Sequence, residues 1–169
     1  FKSFSKDINL LIICLASSKE QLIKQKDNLL DPLASELINE VKWIYLKDFS
    51  NKDTDLYPVA ITGKGPAILM LHGFDSCFLE FRRLVPLLKD KYKLIIPDLY
   101  GFGFCPRPNA DNYGLESVIK HLIKILEEFS VECPLGVIGA SMGGCVALEL
   151  ARQRPKKIKS LLLLSPAGL

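Results

Sequence analysis

The sequence predicts an α/β fold: a mostly parallel sheet with flanking helices. Three observations predict it. From residue 41 onward short apolar runs alternate with helix-period segments, the pattern of strands joined by crossover helices. Ala67 to Leu71 is wholly apolar, as a central strand buried on both faces must be. Leu135 to Gly144 reads L-G-V-I-G-A-S-M-G-G, an apolar strand running through a glycine-flanked serine into a helical segment.

The elements follow in order. The chain starts at Phe1 rather than Met, which suggests a trimmed or incomplete start. Ile8 to Ala16 is almost wholly apolar, with Lys2 and Lys6 before it. That resembles the charged and apolar regions of a signal peptide. It is too short for a bilayer span of ~20 residues, so a buried helix or strand is expected. Ser17 and Glu20 have capping-box spacing, which starts a helix near Ser18. Asp31-Pro32 reads as the N-cap and first residue of another, with Leu33, Leu37, Ile38 and Val41 on one face. Residues 1–40 thus form an N-terminal helical extension without visible chemistry, and 41–169 the core domain.

Val41 to Leu46 and Tyr57 to Thr62 read as strands around a polar turn at 51–55. Phe78 to Leu88 is amphipathic and helical. Leu94 to Ile96 is a strand that ends in Pro97-Asp98. Leu115 to Phe129 is a helix, with Leu115, Val118, Ile119, Leu122, Leu126 and Phe129 on its apolar face. His121 falls among Lys120, Lys124, Glu127 and Glu128, so solvent is expected around it. Leu135 to Ile138 is a strand, and Met142 to Gln153 a helix. Ser160 to Ser165, with its L-L-L-L run, has the pattern of a further buried strand paired on both edges, which in residues 1–169 alone is expected to become an exposed apolar edge.

Composition narrows the function. Of 169 residues 49% are hydrophobic and 24% charged, enough for one core. A net charge of +3 is too mild to argue for nucleic acid or an anionic membrane. The cysteines at 14, 77, 105, 133 and 145 form no C-x-x-C pair, and with two histidines they offer no zinc spacing. Neither a metal nor another cofactor is expected. Scattered thiols suit a reducing, cytoplasmic compartment.

Three motifs carry the chemistry. In Gly139-Ala140-Ser141-Met142-Gly143 a tight turn would hold Ser141 in a strained conformation with its hydroxyl above the sheet, while Gly139 and Gly143 leave it room. The Met142 N–H, at the helix start, can then face a developing oxyanion. A plain glycine-rich turn is the bland alternative. A phosphate loop would need a Lys-Ser or Lys-Thr pair that is absent. The second motif, His72-Gly73-Phe74, lies at the carboxyl edge of the sheet. There Gly73 lets the Phe74 N–H point inward as a second donor, and His72 is read as ordering the loop rather than as a base. The third, residues 97–108, holds two Gly and three Pro. Its Asp98 is read as a carboxylate that ties the loop.

H-G-F at 72–74, D-L-Y-G-F-G-F-C-P-R-P at 98–108, G-A-S-M-G-G at 139–144 and L-L-L-L-S-P-A-G at 161–168 together resemble the α/β-hydrolase superfamily, in its serine-nucleophile branch. Cys105 stands where the family loop commonly has Ser. The resemblance covers residues 41–169 and implies Ser141 as nucleophile, with Phe74 and Met142 as oxyanion donors. It implies a serine hydrolase acting on a small-molecule ester, thioester or activated carbon–carbon bond through an acyl-enzyme. An acyltransferase, lyase or peroxidase-like enzyme, or a non-catalytic small-molecule-binding protein, is the alternative on the same fold. The family places its acid and catalytic His after a lid and further strands. No His follows His121 here, and Glu149 alone among acids follows Ser141. The resemblance is therefore to the N-terminal portion of such an enzyme, truncated before the lid and last strands, and residues 1–169 alone are expected to be inactive.

Overall fold

The computed structural model describes residues 18–26, 28–47, 49, 55–107 and 112–168. The apolar run at 8–16, Ser17, Cys14 and most of the 51–55 turn lie outside them. In chain order the elements are α1 (Ser18–Lys26), α2 (Pro32–Asn39), β1 (Val41–Tyr45), β2 (Leu56–Thr62), β3 (Ala67–Leu71), a 3-10 turn (Phe78–Phe81), α3 (Val85–Leu88), β4 (Lys93–Pro97), α4 (Leu115–Glu128), β5 (Leu135–Ala140), α5 (Met142–Gln153), a 3-10 turn (Pro155–Lys157) and β6 (Ile158–Leu164).

Six strands form one sheet in the order β1-β2-β4-β3-β5-β6. β1 and β2 pair antiparallel, as do β2 and β4. β4, β3, β5 and β6 run parallel. β3 is central, with Leu69 paired to Ile95 on one side and Val137 on the other. The period of two along each strand sorts side chains to opposite faces. Leu69, Leu71, Ile95 and Val137 pack with Ile119, Leu122, Val146 and Leu150 of α4 and α5. Met70, Leu94, Ile96 and Ile138 face the other way, onto Phe78, Phe81 and Val85. Leu22, Leu37 and Ile38 of the N-terminal helices join this second cluster. Asp31 caps α2 by accepting from the Leu33 N–H at 3.1 Å, and Arg82 Nε donates to its other oxygen at 2.7 Å.

Two expectations are corrected. Phe78 to Leu88 is not one helix but a 3-10 turn and a short α-turn. Pro86 explains the break, because it has no N–H for the preceding turn and its ring crowds it. β6 is an exposed apolar edge in this chain, as expected for residues 1–169 alone, and Leu162 and Leu164 are 52% and 40% exposed. His121 is not solvated. It is fully buried against Phe49, Tyr57 and Tyr100 at centroid distances of 5.0–5.4 Å. Val118, His121, Leu122 and Ile125 recur at i, i+3, i+4 and i+7, so the apolar face takes His121 in. Among the described residues neither ring nitrogen has a hydrogen-bond partner. Burial alone pulls the imidazole pKa down to about 3.

Unfolded, His121 takes a proton below its ordinary value of 6.5; folded, it does not until about pH 3. Its contribution to stability is therefore lost as pH falls through that window, by ~1.4 kcal/mol per unit. His121→Leu removes the two unpartnered nitrogens and should be neutral or stabilising at pH 7. The difference between variant and parent in urea unfolding should then grow by about 2 kcal/mol on going to pH 5. A pH-independent difference would contradict the buried neutral imidazole.

Candidate active site

The parallel strands end on one edge of the sheet, and three loops meet there. β5 passes into α5 through Ser141, whose backbone has φ 49° and ψ −116°. That is outside the regions an ordinary residue prefers, and such strain costs of order 1–3 kcal/mol. Its surroundings impose it. The Ser141 N–H donates to the carbonyl of Leu164, the last residue of β6, at 3.0 Å, and the Ser141 carbonyl accepts from Gly144 and Ala167, each at 3.0 Å. The turn also needs its glycines. A Cβ on Gly139 would lie 2.5 Å from the Gly143 carbonyl oxygen, and one on Gly143 2.6 Å from that of His72. The Ser141 side chain is exposed at the top of the turn. Met142 opens α5, where the first N–H groups have no carbonyl one turn back.

The second loop follows β3. A Cβ on Gly73 would sit 3.3 Å from the Ser141 Cβ, so the two segments are in direct apposition. His72 is fully buried. Its Nε2 lies 2.9 Å from the Leu99 N–H, which can only donate. Nε2 must therefore be the bare nitrogen, and Nδ1 carries the proton. That Nδ1–H donates to the Gly73 carbonyl at 2.8 Å. Burial pulls the imidazole below its ordinary range, which keeps it neutral. The Gly73 carbonyl and the Phe74 N–H belong to one planar peptide unit and point in opposite directions. By holding the carbonyl, His72 fixes the direction of the Phe74 N–H. The Phe74 ring stands out at 73% exposure, edge-on to Phe102 at 5.5 Å.

The third loop, after β4, hangs on Asp98. One carboxylate oxygen accepts from the Phe78 N–H and the other from the Phe104 N–H, both at 2.6 Å. Burial pushes the carboxyl up to about 7 against the downward pull of these donors. Arg107 adds bonds to the carbonyls of Gly101 and Gly103 at 2.9 and 2.8 Å. Cys105 is buried, and its thiol lies 3.5 Å from the Asp98 carbonyl. Burial raises its pKa well above the usual range, so it is an inert thiol.

The structure thus brings Ser141, Met142, Gly139, Gly143, His72 and Gly73 together, with Phe74 next in the loop. Sequence reasoning missed two contributors. Glu80 accepts from the Gly73 N–H at 2.9 Å, and no motif marked it. Pro166 packs against Gly144, where an added Cβ would meet it at 2.6 Å; the S-P-A-G run was its only signal. Neither His is free to act as a base: both His72 nitrogens are engaged, and His121 is in the core. Glu149 is paired with Arg152 and Gln153 at 2.7–2.8 Å, and those bonds hold its carboxyl down at about 2. Among the described residues no three His, Cys, Asp or Glu side chains are grouped to hold a metal. No helix among them is long and apolar enough to cross a membrane.

The family model for the alpha/beta hydrolase fold matches residues 66–168. The chain belongs to this family. Its match to the magnesium-chelatase 30 kDa subunit of Rhodobacter capsulatus is 41% identical and covers 54% of the chain and 32% of that protein. A 2-hydroxy-6-oxo-2,4-heptadienoate hydrolase of Pseudomonas putida is 31% identical over 69% of the chain and 42% of its own length. Among solved structures, a meta-cleavage product hydrolase from Pseudomonas fluorescens superposes with a TM-score of 0.63 at 29% identity, over 67% of the chain and 42% of that protein. The α/β-hydrolase chain described here therefore spans less than half the length of these relatives.

Asp98→Asn keeps the shape but turns an amide NH₂ toward one of the two backbone donors. A buried donor left unmatched costs about 1–3 kcal/mol. A drop of that size in urea-unfolding free energy is expected, and an unchanged midpoint would refute the two-donor tie.

Proposed function

We propose that this chain supplies the nucleophile and the oxyanion donors of a serine hydrolase acting on a small-molecule ester, thioester or activated carbon–carbon bond. The observation that carries this is the Ser141 backbone, held at φ 49° and ψ −116° by three hydrogen bonds with its side chain exposed at a strand-to-helix turn. Strained backbone of this kind clusters at active sites. In the reaction, the Ser141 oxygen attacks the substrate carbonyl carbon and its proton passes to a base. The carbonyl electron pair moves onto oxygen, facing the Phe74 and Met142 N–H groups. Collapse expels the leaving group, which takes a proton, and leaves an acyl ester on Ser141. Water then attacks that ester, releases the acid and restores the serine.

Fixed donors act without reorganising during the step, and losing one costs about 10²–10³ in rate. The base is not one of the two histidines of this chain, since His72 and His121 have no usable lone pair facing Ser141. We place the base, and the acid that orients it, outside residues 1–169. The relatives fit this reading: their names include hydrolases of small molecules, and they extend well beyond the matched stretch.

Two outcomes test it. In the natural gene product Ser141→Ala should lower p-nitrophenyl ester turnover by at least about 10³-fold, while residues 1–169 alone should show no serine-dependent turnover. Near-normal activity of the alanine variant would sink the nucleophile assignment, and an active 169-residue chain would sink the placement of the base. A second pair of variants addresses the donor. Phe74→Ala keeps the N–H and should be mild; Phe74→Pro deletes it and should lower kcat by about 10²–10³, with folding verified by circular dichroism. Equal kcat values would exclude the Phe74 donor.

A further inference from the structure

We infer that Glu80 is a positioning residue for the oxyanion loop, an inference that rests on the hydrolase reading above. Gly73 has no side chain to restrict its backbone, yet the peptide that follows it carries the Phe74 N–H. Both peptide units that meet at Gly73 are held. The His72 ring holds the following one through the Gly73 carbonyl, at 2.8 Å. Glu80 holds the preceding one through the Gly73 N–H, at 2.9 Å. Two bonds on opposite sides of one Cα fix both of its torsions. The Glu80 bond is a carboxylate accepting from an amide, a class roughly twice as strong as a neutral pair.

The anchor behind Glu80 is itself rigid. Glu80 lies in the 3-10 turn Phe78–Phe81. One end of that turn is tied to Asp98 through the Phe78 N–H, and Phe78 and Phe81 are buried beneath it. Just past the other end, Arg82 donates to Asp31 at the start of α2 and to the Leu79 carbonyl. A built Cβ on Gly73 falls 3.3 Å from the Ser141 Cβ and 3.6 Å from Glu80 Oε2, so the carboxylate and the serine flank the same backbone point. In this arrangement the N-terminal helix, the 3-10 turn and the oxyanion loop form one mechanical chain that ends beside Ser141.

The test compares Glu80→Ala and Glu80→Gln in the natural gene product, with Ser141→Ala alongside. Glu80→Ala should lower kcat for a p-nitrophenyl ester by about 10- to 100-fold with little change in KM, the loss that a misplacement on the ångström scale brings. Glu80→Gln keeps an acceptor oxygen and should recover most of it. Amide exchange gives a readout free of catalysis: Glu80→Ala should speed exchange at Gly73 and Phe74 while Leu69 to Leu71 in β3 stay protected. Wild-type kcat in Glu80→Ala, or failure of Gln to rescue, overturns the inference while leaving Ser141 in place. Full turnover by Ser141→Ala overturns the hydrolase reading instead; unchanged exchange at Gly73 and Phe74 then refutes the Glu80 anchor, and faster exchange upholds it.

Discussion

The His72 imidazole is the interaction on which the site depends. It sits at the end of the central strand, fully buried, and bonds to two backbone groups from different loops. The Leu99 amide dictates which nitrogen carries the proton, and that proton dictates where the Gly73 carbonyl points. The Phe74 N–H then has one direction left. Burial keeps the ring neutral, which is required, because an imidazolium would set a donor against the Leu99 donor. Asp98, the first residue after β4 as His72 is the first after β3, repeats the device with two donors on one carboxylate. The sheet edge is thus assembled from buried polar side chains that bind backbone, where each unmatched partner would cost more than the bond contributes.

The strain at Ser141 has a remote support. Its amide and carbonyl are fixed by Leu164 and Ala167, at and just beyond the end of β6. β6 holds its register through pairing with β5 from Leu135 to Ala140. Pro166 closes the gap over Gly144. The elbow therefore needs the strand that follows it in sequence, although every residue of the motif precedes that strand. β6 is the edge strand of this sheet, and of its two exposed leucines Leu164 is itself part of the support of the turn.

Much of this was legible in the sequence. Patterns with strong periodicity fixed β3, β5, α4 and α5 within a residue or two, and Asp31-Pro32 fixed the start of α2. The glycine spacing located the strained serine. What failed did so for identifiable reasons. The segment before Leu88 has helical spacing, but Pro86 removes the hydrogen bond that would join its two halves. His121 has charged neighbours in sequence, and its polar character outweighed a position that is apolar by helical geometry. Glu80 left no trace, since a carboxylate seven residues from the glycine it grips has no local signature. Pairings through tertiary structure are invisible to any local pattern.

The fates of the two histidines lead to the last step. A general base needs a lone pair that faces the proton it takes, within hydrogen-bond reach. His72 lies next to the right loop, but its lone pair is held by Leu99 and its proton by Gly73. Rotating it toward Ser141 would break both bonds and release the Phe74 donor. His121 has an unengaged lone pair, but its ring is buried against Phe49, Tyr57 and Tyr100 in the core. On the hydrolase reading proposed above, one imidazole cannot both orient the Phe74 N–H and accept the serine proton, because Gly73 and Leu99, from two different loops, already occupy both of its nitrogens. On that reading the division of labour follows from valence: the backbone N–H groups of this chain receive the negative charge, and the base that takes the serine proton has to be a separate group.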